Sequence, residues 1–161
     1  TVVRTLPLLH SFCAELKFVH QTGDIDNEWV SRAYEKEYMD SDVKSFLFDI
    51  GDKYKWAHFV IARAGAVTVA EITAMGLPAL LVPFPESTHG HQEENAKFLS
   101  DKGAGILVKQ EDFEPEVLFS ILSKFIKDRD TLRKMSIKTQ DLNDSCSRLS
   151  VTKLCKEVVV N

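Results

Sequence analysis

The sequence predicts an α/β fold, a parallel β-sheet with helices on both faces. Three observations carry this. Short apolar segments of strand length alternate with longer amphipathic segments along nearly the whole chain, which is the order of βαβ units. The segments HFVIA at 58–62 and PALLVPF at 78–84 are near-continuous apolar runs, as strands buried on both faces are. Two helical segments stop on a glycine, Gly76 and Gly103, a common way for a helix to end.

The elements follow in order. TVVRTLPLLHSFCAEL predicts a helix over about 3–15, with Val3, Leu6, Leu9 and Phe12–Cys13 on its apolar side. A chain that opens directly on such a helix is expected to be a fragment of a longer protein. LKFVH at 16–20 predicts a strand. NEWVSRAYEKEY at 27–38 predicts a helix with Trp29, Val30, Ala33 and Tyr34 on one face and Asn27 as a candidate cap. VKSFLF at 43–48 is a strand, IGDKYKWA at 50–57 a short helix and HFVIA at 58–62 a strand. AVTVAEITAMG at 66–76 is a helix and PALLVPF at 78–84 a strand. HQEENAKFLSDKG at 91–103 is a helix and AGILVK at 104–109 a strand. PEVLFSILSKFIKD at 115–128 is an amphipathic helix with Pro115 in a favoured first-turn position. Further helices are predicted at about 129–140 and 147–158. No repeat, low-complexity tract or internal domain boundary stands out, so residues 1–161 are expected to form one domain.

Composition narrows the function. The chain has 161 residues, 44% hydrophobic and 27% charged, which is ordinary for one globular domain with a real core. Its net charge of −4 gives no basic face for nucleic acid. The three cysteines, Cys13, Cys146 and Cys155, are odd in number and widely spaced. They form neither a disulfide framework nor a zinc pattern, and reduced thiols in a cytosolic protein are expected. No stretch is long and apolar enough to span a bilayer, and no signal peptide is visible.

In an open α/β sheet, ligands bind beyond the carboxyl ends of the strands. Four segments belong there: HQTGD at 20–24, FLFD at 46–49, RAGAVTVAE at 63–71 and PESTHGHQEEN at 85–95. In RAGAVTVAE, Gly65 permits a tight turn and close approach of a ligand. The helix that starts near Ala66 points free N–H groups and a favourable dipole end at the crevice, a setting for an anion. Ala64 and Ala66 leave room, and Thr68 in the first turn offers a hydroxyl to a phosphate. Glu71 sits a turn further on, where a carboxylate suits a sugar diol better than a phosphate. Diphosphate and diol together describe a nucleotide. Taken alone, this segment is read somewhat better as a plain tight turn followed by a solvated glutamate. His20, taken alone, fits a satisfied core or rim histidine better than a catalyst. In HQEEN, Gln92 and Asn95 are three apart and share a helix face. Their amides, each with a donor and an acceptor, suit a neutral hydroxyl-rich ligand. A merely polar helix start remains the alternative. His89 and His91 lack a third ligand nearby, so no metal is expected.

Taken together, HQTG, RAGAVTVAEITAMGLPALLVPFP and GHQEENAKFLSDKGAGILVKQED resemble the carboxyl-terminal half of the MurG family. The middle segment carries the most specific part of the likeness. The family transfers N-acetylglucosamine from UDP-N-acetylglucosamine to the lipid-linked peptidoglycan precursor, turning lipid I into lipid II. The resemblance implies a Rossmann-like donor domain, the carboxyl-terminal half of a two-domain GT-B glycosyltransferase. It implies an inverting, metal-independent reaction without a cofactor, in an enzyme on the cytoplasmic face of the membrane. Carried over by position, it places Leu47 and the neighbouring Phe46 at the uracil, largely through backbone groups. Ala66, Val67 and Thr68 would hold the diphosphate, with Thr22 lining the crevice near it, and Glu71 would accept the ribose hydroxyls. Gln92 and Asn95, with His91 close by, would bond the N-acetylglucosamine. His91 stands where some members have glutamine. The amino-terminal domain, which carries lipid I recognition, the proposed catalytic base and the membrane-binding patch, has no counterpart here. Nor have the first strand, glycine-rich loop and phosphate-binding arginine of the donor domain. No catalytic residue is therefore expected in this chain, and the sheet is expected to lack its first strand. Other readings are a related GT-B transferase using a UDP-sugar on another lipid-linked acceptor, and a non-catalytic nucleotide-binding domain.

Overall fold

The computed structural model describes residues 1–87 and 90–148, with side chains described up to Asn143. Its helices are α1 (Val2–Thr5), α2 (Asn27–Lys36), α3 (Ile50–Trp56), α4 (Ala66–Ala74), α5 (His91–Ser100), α6 (Pro115–Lys127) and α7 (Arg129–Arg148). Its strands are β1 (Lys17–Gln21), β2 (Asp40–Lys44), β3 (Val60–Ala62), β4 (Ala79–Leu81) and β5 (Gly105–Leu107). The chain forms two compact units, one of residues 1–56 with 111–129, the other of residues 57–110 with those from Asp130 onward.

In the first unit β1 and β2 pair in parallel, from Lys17 opposite Asp40 to Gln21 opposite Lys44, with α2 as the crossover. Helix α6 lies against α1 and the 3₁₀ turn that follows it. Leu6, Leu9, Leu118, Leu122 and Phe125 are buried there. Of the predicted face of α2, Val30 and Tyr34 are buried and Ala33 is half-buried, whereas Trp29 is exposed, its Nε1 donating to Asp26 Oδ1. The helix expected over 3–15 is instead α1 followed by a 3₁₀ helix at Leu6–Phe12. Pro7 has no N–H to give to the carbonyl four residues back, so the α-ladder stops there. Pro115 does open α6.

The strand expected at 43–48 lies at Asp40–Lys44. Pairing with β1 decides this over local preference, helped at one end by the Lys17–Asp40 ion pair at 2.7 Å. Phe46, Leu47 and Phe48 consequently fall in the loop beyond the strand's carboxyl end. Asn27 does not cap α2. Asp26 holds the cap position, and Asn27 Nδ2 donates to Thr22 Oγ1 at 3.4 Å.

In the second unit β3, β4 and β5 pair in parallel in that order, with α4 and α5 as crossovers. Leu77 to Pro83 are all buried, as the apolar run predicts, while the ladder itself covers only 79–81. The flanking prolines have no N–H to extend it. Gly76 ends α4 at φ 63°, a conformation that disfavours a side chain, and a Cβ there would strike Gln140 of α7. Helix α7 fastens here through Ser136 Oγ, which donates to Gly76 O at 2.8 Å, and Thr139 Oγ1, which donates to Ala104 O at 3.1 Å. The helix expected at 129–140 is α7, which runs on to Arg148, and the helix expected at 147–158 lies outside the described residues beyond Arg148.

The single sheet expected from the sequence is two parallel sheets, β1–β2 and β3–β4–β5. Among the described residues only β4 is bonded to a strand on each side.

Candidate functional site

The second unit carries seven of the ten predicted site residues. They lie where β3 and β4 end and α4 and α5 begin. The first backbone bond into α4 runs from Val69 N–H to Gly65 O, at 2.9 Å. The amides of Ala66, Val67 and Thr68 therefore precede the helical ladder, and Gly65 has no side chain to cap them. Ala66 and Val67 are exposed, and Thr68 and Glu71 are half-buried. Thr68 Oγ1 has no hydrogen-bond partner among the described residues. This is the concentration of free amides and dipole that an anion requires.

Gly65 departs from its predicted role in one respect. Its φ of −63° and ψ of 146° are open to any residue. A Cβ there would meet Thr68 Oγ1 at 3.8 Å, an ordinary contact. The turn does not demand a glycine, so of the two predicted reasons only close approach from outside the chain remains.

Helix α5 starts from Gly90, whose φ of 69° does favour glycine. His91 is exposed at the helix start, with Nδ1 4.0 Å from Glu94 Oε2. His89 lies outside the described residues. Among those described, no three His, Cys, Asp or Glu side chains gather as metal ligands.

Gln92 and Asn95 are half-buried and anchored to backbone. Gln92 Oε1 accepts from Phe84 N–H at 3.0 Å, and Asn95 Nδ2 donates to Ala64 O at 3.0 Å. The partners fix the amide orientations, because a backbone N–H only donates and a carbonyl only accepts. Gln92 therefore has its NH₂ donors left over, and Asn95 its carbonyl acceptor.

Sequence reading gave Arg63 no role. Its Nη1 donates to Val82 O at 3.2 Å and Pro83 O at 3.3 Å, and its guanidinium lies 5.5 Å from the Phe84 ring centroid. An arginine just past a strand end, with aromatic and proline residues past the next, was the available signal.

The first unit carries the other three residues. Thr22 closes the turn after β1. Its Oγ1 donates to Gly23 O at 2.8 Å, lies 3.3 Å from Lys44 O and accepts from Asn27. Leu47 is buried, and its N–H donates to Gln21 Oε1 at 2.9 Å. Gln21 is the second residue without a predicted role, and it pins the loop beyond β2. Phe46 and Phe48 pack edge to face at 4.9 Å and stay exposed.

His20 is a satisfied histidine. Tyr34 is fully buried, burial pushes its phenol pKa up so that the O–H stays protonated, and its hydroxyl shares a 3.1 Å hydrogen bond with His20 Nδ1. Burial lowers the His20 pKa and favours the neutral ring.

A shallow pocket of about 380 Å³ lies at the other end of β1 and β2, lined by Lys17, Phe18, Asp40, Asp42, Lys53 and Trp56 among others. None of the predicted site residues lines it. Its charges are paired, Lys17 with Asp40 at 2.7 Å and Lys53 with Asp42 at 3.2 Å.

The UDP-N-acetylglucosamine–N-acetylmuramyl-(pentapeptide) pyrophosphoryl-undecaprenol N-acetylglucosamine transferase of Geobacter sulfurreducens is 35% identical over 142 residues, covering 88% of this chain and 39% of the relative. The transferase of the same description from Nitratidesulfovibrio vulgaris strain DP4 is 39% identical over 137 residues, covering 84% and 37%. The crystal structure of Acinetobacter baumannii MurG superposes with a TM-score of 0.75 at 32% identity, over 86% of this chain and 42% of that one. Glycosyltransferase VinC, crystallised with DTDP, superposes at 0.59 with 15% identity and shows likeness of fold alone. The chain thus spans about two fifths of the length of the relatives it matches. Residues 2–149 match the family described as the glycosyltransferase family 28 C-terminal domain, and the chain belongs to that family.

Proposed function

We propose that this chain is the donor-binding part of an inverting glycosyltransferase that moves N-acetylglucosamine from UDP-N-acetylglucosamine to lipid I, forming lipid II for peptidoglycan. The observation that carries the reading is the pair of anchored amides on α5. Gln92 retains donors and Asn95 retains an acceptor, and a sugar hydroxyl can meet either. The uncapped start of α4 supplies the amides and dipole for the diphosphate, and Glu71 is the carboxylate for the ribose diol. Strand pairing gives further support. Each unit pairs its strands in parallel with helical crossovers, β1 with β2 and β3 with β4 with β5, as a doubly wound α/β domain does.

In the reaction an acceptor hydroxyl attacks the anomeric carbon, the bond from that carbon to the diphosphate oxygen breaks, and UDP leaves. Negative charge grows on the diphosphate as it departs. The amides of Ala66, Val67 and Thr68 and the Thr68 hydroxyl stabilise that charge without reorganising, which is electrostatic catalysis by preset dipoles. Glu71, Gln92 and Asn95 bind and orient. Residues 1–161 serve as one donor domain. Recognition of lipid I, the catalytic base and attachment to the inner face of the cytoplasmic membrane belong to an amino-terminal domain, so this chain alone binds donor without turning it over.

Calorimetric titration with UDP-N-acetylglucosamine, UDP-N-acetylgalactosamine and UDP tests this, with Glu71→Ala in parallel. Tightest binding of UDP-N-acetylglucosamine is expected, weakened in the variant by roughly 1.5–3 kcal/mol for lost bonds to a charged group. A folded chain that binds none of the three, or a variant equal to wild type, refutes the corresponding assignment.

A further inference from the structure

We infer that Arg63 is a positioning residue that sets the sugar preference of this site by holding the loop that orients Gln92. The inference rests on the donor-site reading and adds a residue that acts through another.

The loop after β4 is short of backbone partners, because Pro83 and Pro85 have no N–H. Arg63 supplies the missing restraint. One guanidinium nitrogen bonds the carbonyls of two consecutive residues, Val82 and Pro83, and the guanidinium lies over the ring of the third, Phe84. Phe84 N–H is the group that holds Gln92 Oε1 at 3.0 Å. Arg63 also directly precedes Ala64, whose carbonyl holds Asn95 Nδ2 at 3.0 Å. One residue thus connects the backbone anchors of both amides on α5. The Arg63 side chain lies outside the core beneath. Ala64 and Val82 are buried at 0% and 4% exposure, whereas Arg63 itself is exposed. Its loss frees the loop and Gln92 while the unit stays folded. Lysine is a poor substitute, because its compact, strongly hydrated ammonium has no flat face to lay on the ring.

A competing role is direct contact between Arg63 and the diphosphate. The two roles differ in what they do to UDP, which carries the diphosphate and no sugar. The test is titration of wild type, Arg63→Ala, Gln92→Ala and the double variant with UDP-N-acetylglucosamine, UDP-N-acetylgalactosamine and UDP. Arg63→Lys and Phe84→Leu are included, the latter keeping the residue 84 N–H while removing the ring. The preference for UDP-N-acetylglucosamine is expected to fall roughly fivefold in Arg63→Ala, the effect of about one net hydrogen bond. Arg63→Lys restores little of it, Phe84→Leu loses part of it, and UDP is bound as in wild type. The double variant is expected to lose no more than Gln92→Ala alone, since coupled residues are not additive. Thermal melting checks the fold, and if Arg63→Ala does not fold, Phe84→Leu carries the same comparison. Weakening of UDP in step with the sugars assigns Arg63 to the diphosphate and overturns the inference. Unchanged preference in Arg63→Ala, or full additivity with Gln92→Ala, also overturns it, and leaves the donor site standing. A folded wild type that binds none of the three ligands overturns the donor site and this inference together.

Discussion

Replacing Gly65 with alanine separates two reasons for a glycine at the tip of α4. If the backbone needs it, the substitution unfolds the turn. If a ligand needs it, the fold survives and binding fails. The dihedrals, φ −63° and ψ 146°, are available to alanine, and the new Cβ would make an ordinary 3.8 Å contact with Thr68 Oγ1. Alanine narrows the unfolded ensemble, which favours folding by roughly 0.4–1 kcal/mol. It is also a poorer N-cap than glycine by a similar amount, roughly 0.5–1 kcal/mol. The two effects offset, and stability should change by less than about 0.5 kcal/mol. Binding has no such compensation. The methyl would stand beside Thr68, at the amides proposed to take the diphosphate. Loss of one bond to a charged group is worth roughly 1.5–3 kcal/mol, or roughly tenfold to a hundredfold in affinity. Urea unfolding and calorimetry with UDP measure the two quantities on the same sample. A stability loss above about 2 kcal/mol, well beyond either effect above, would show that the glycine serves the turn. Unchanged UDP affinity with intact stability would remove the diphosphate from the tip of α4.

Two further predictions concern groups that the fold has already engaged. Asn95→Ala removes the donor to Ala64 O from a residue with 0% exposure. An orphaned buried acceptor costs about 1–3 kcal/mol, so the urea midpoint should fall. Asn95→Asp should not restore it, because a carboxylate can only accept, and a midpoint equal to wild type in Asn95→Ala would show that the bond contributes nothing. For His20, burial depresses the pKa below the ordinary value of about 6.5. The unfolded chain therefore takes up the proton first as pH falls. The contribution of His20 to stability is intact above that ordinary value and is lost progressively on acidification below it. His20→Gln should reduce the loss seen in urea midpoints between neutral and mildly acid pH, and an identical pH profile in the variant would exclude His20 as its source.

Much of the second unit was legible because its signals are local. The run PALLVPF, the two glycine stops and the small residues after β3 each report on a few neighbouring positions. The failures were long-range. Phe46 to Phe48 carry the strand propensity, yet the strand forms at Asp40–Lys44, among residues that β chemistry does not favour. Pairing with β1 outweighs propensity there, and no window of sequence contains both strands. The break at Pro7 was legible in principle, because a proline inside an apolar periodicity announces its missing N–H, and the periodicity concealed it.

The candidate site shows the same division at the level of atoms. A sequence identifies Gln92 and Asn95 as amides on one helix face, and an amide offers a donor and an acceptor alike. Which end faces outward depends on partners 8 and 31 residues away, Phe84 N–H and Ala64 O. Those partners turn two interchangeable-looking side chains into opposites, one left with donors and one with an acceptor. The exchange Gln92→Glu should therefore be far more damaging to sugar binding than to folding: a carboxylate can still accept from Phe84 N–H, but it cannot offer the donor that Gln92 turns outward. Arg63 and Gln21 escaped notice for a related reason. Each bonds the backbone near a predicted residue instead of facing the crevice, so their chemistry became visible only once the loops they hold were in place.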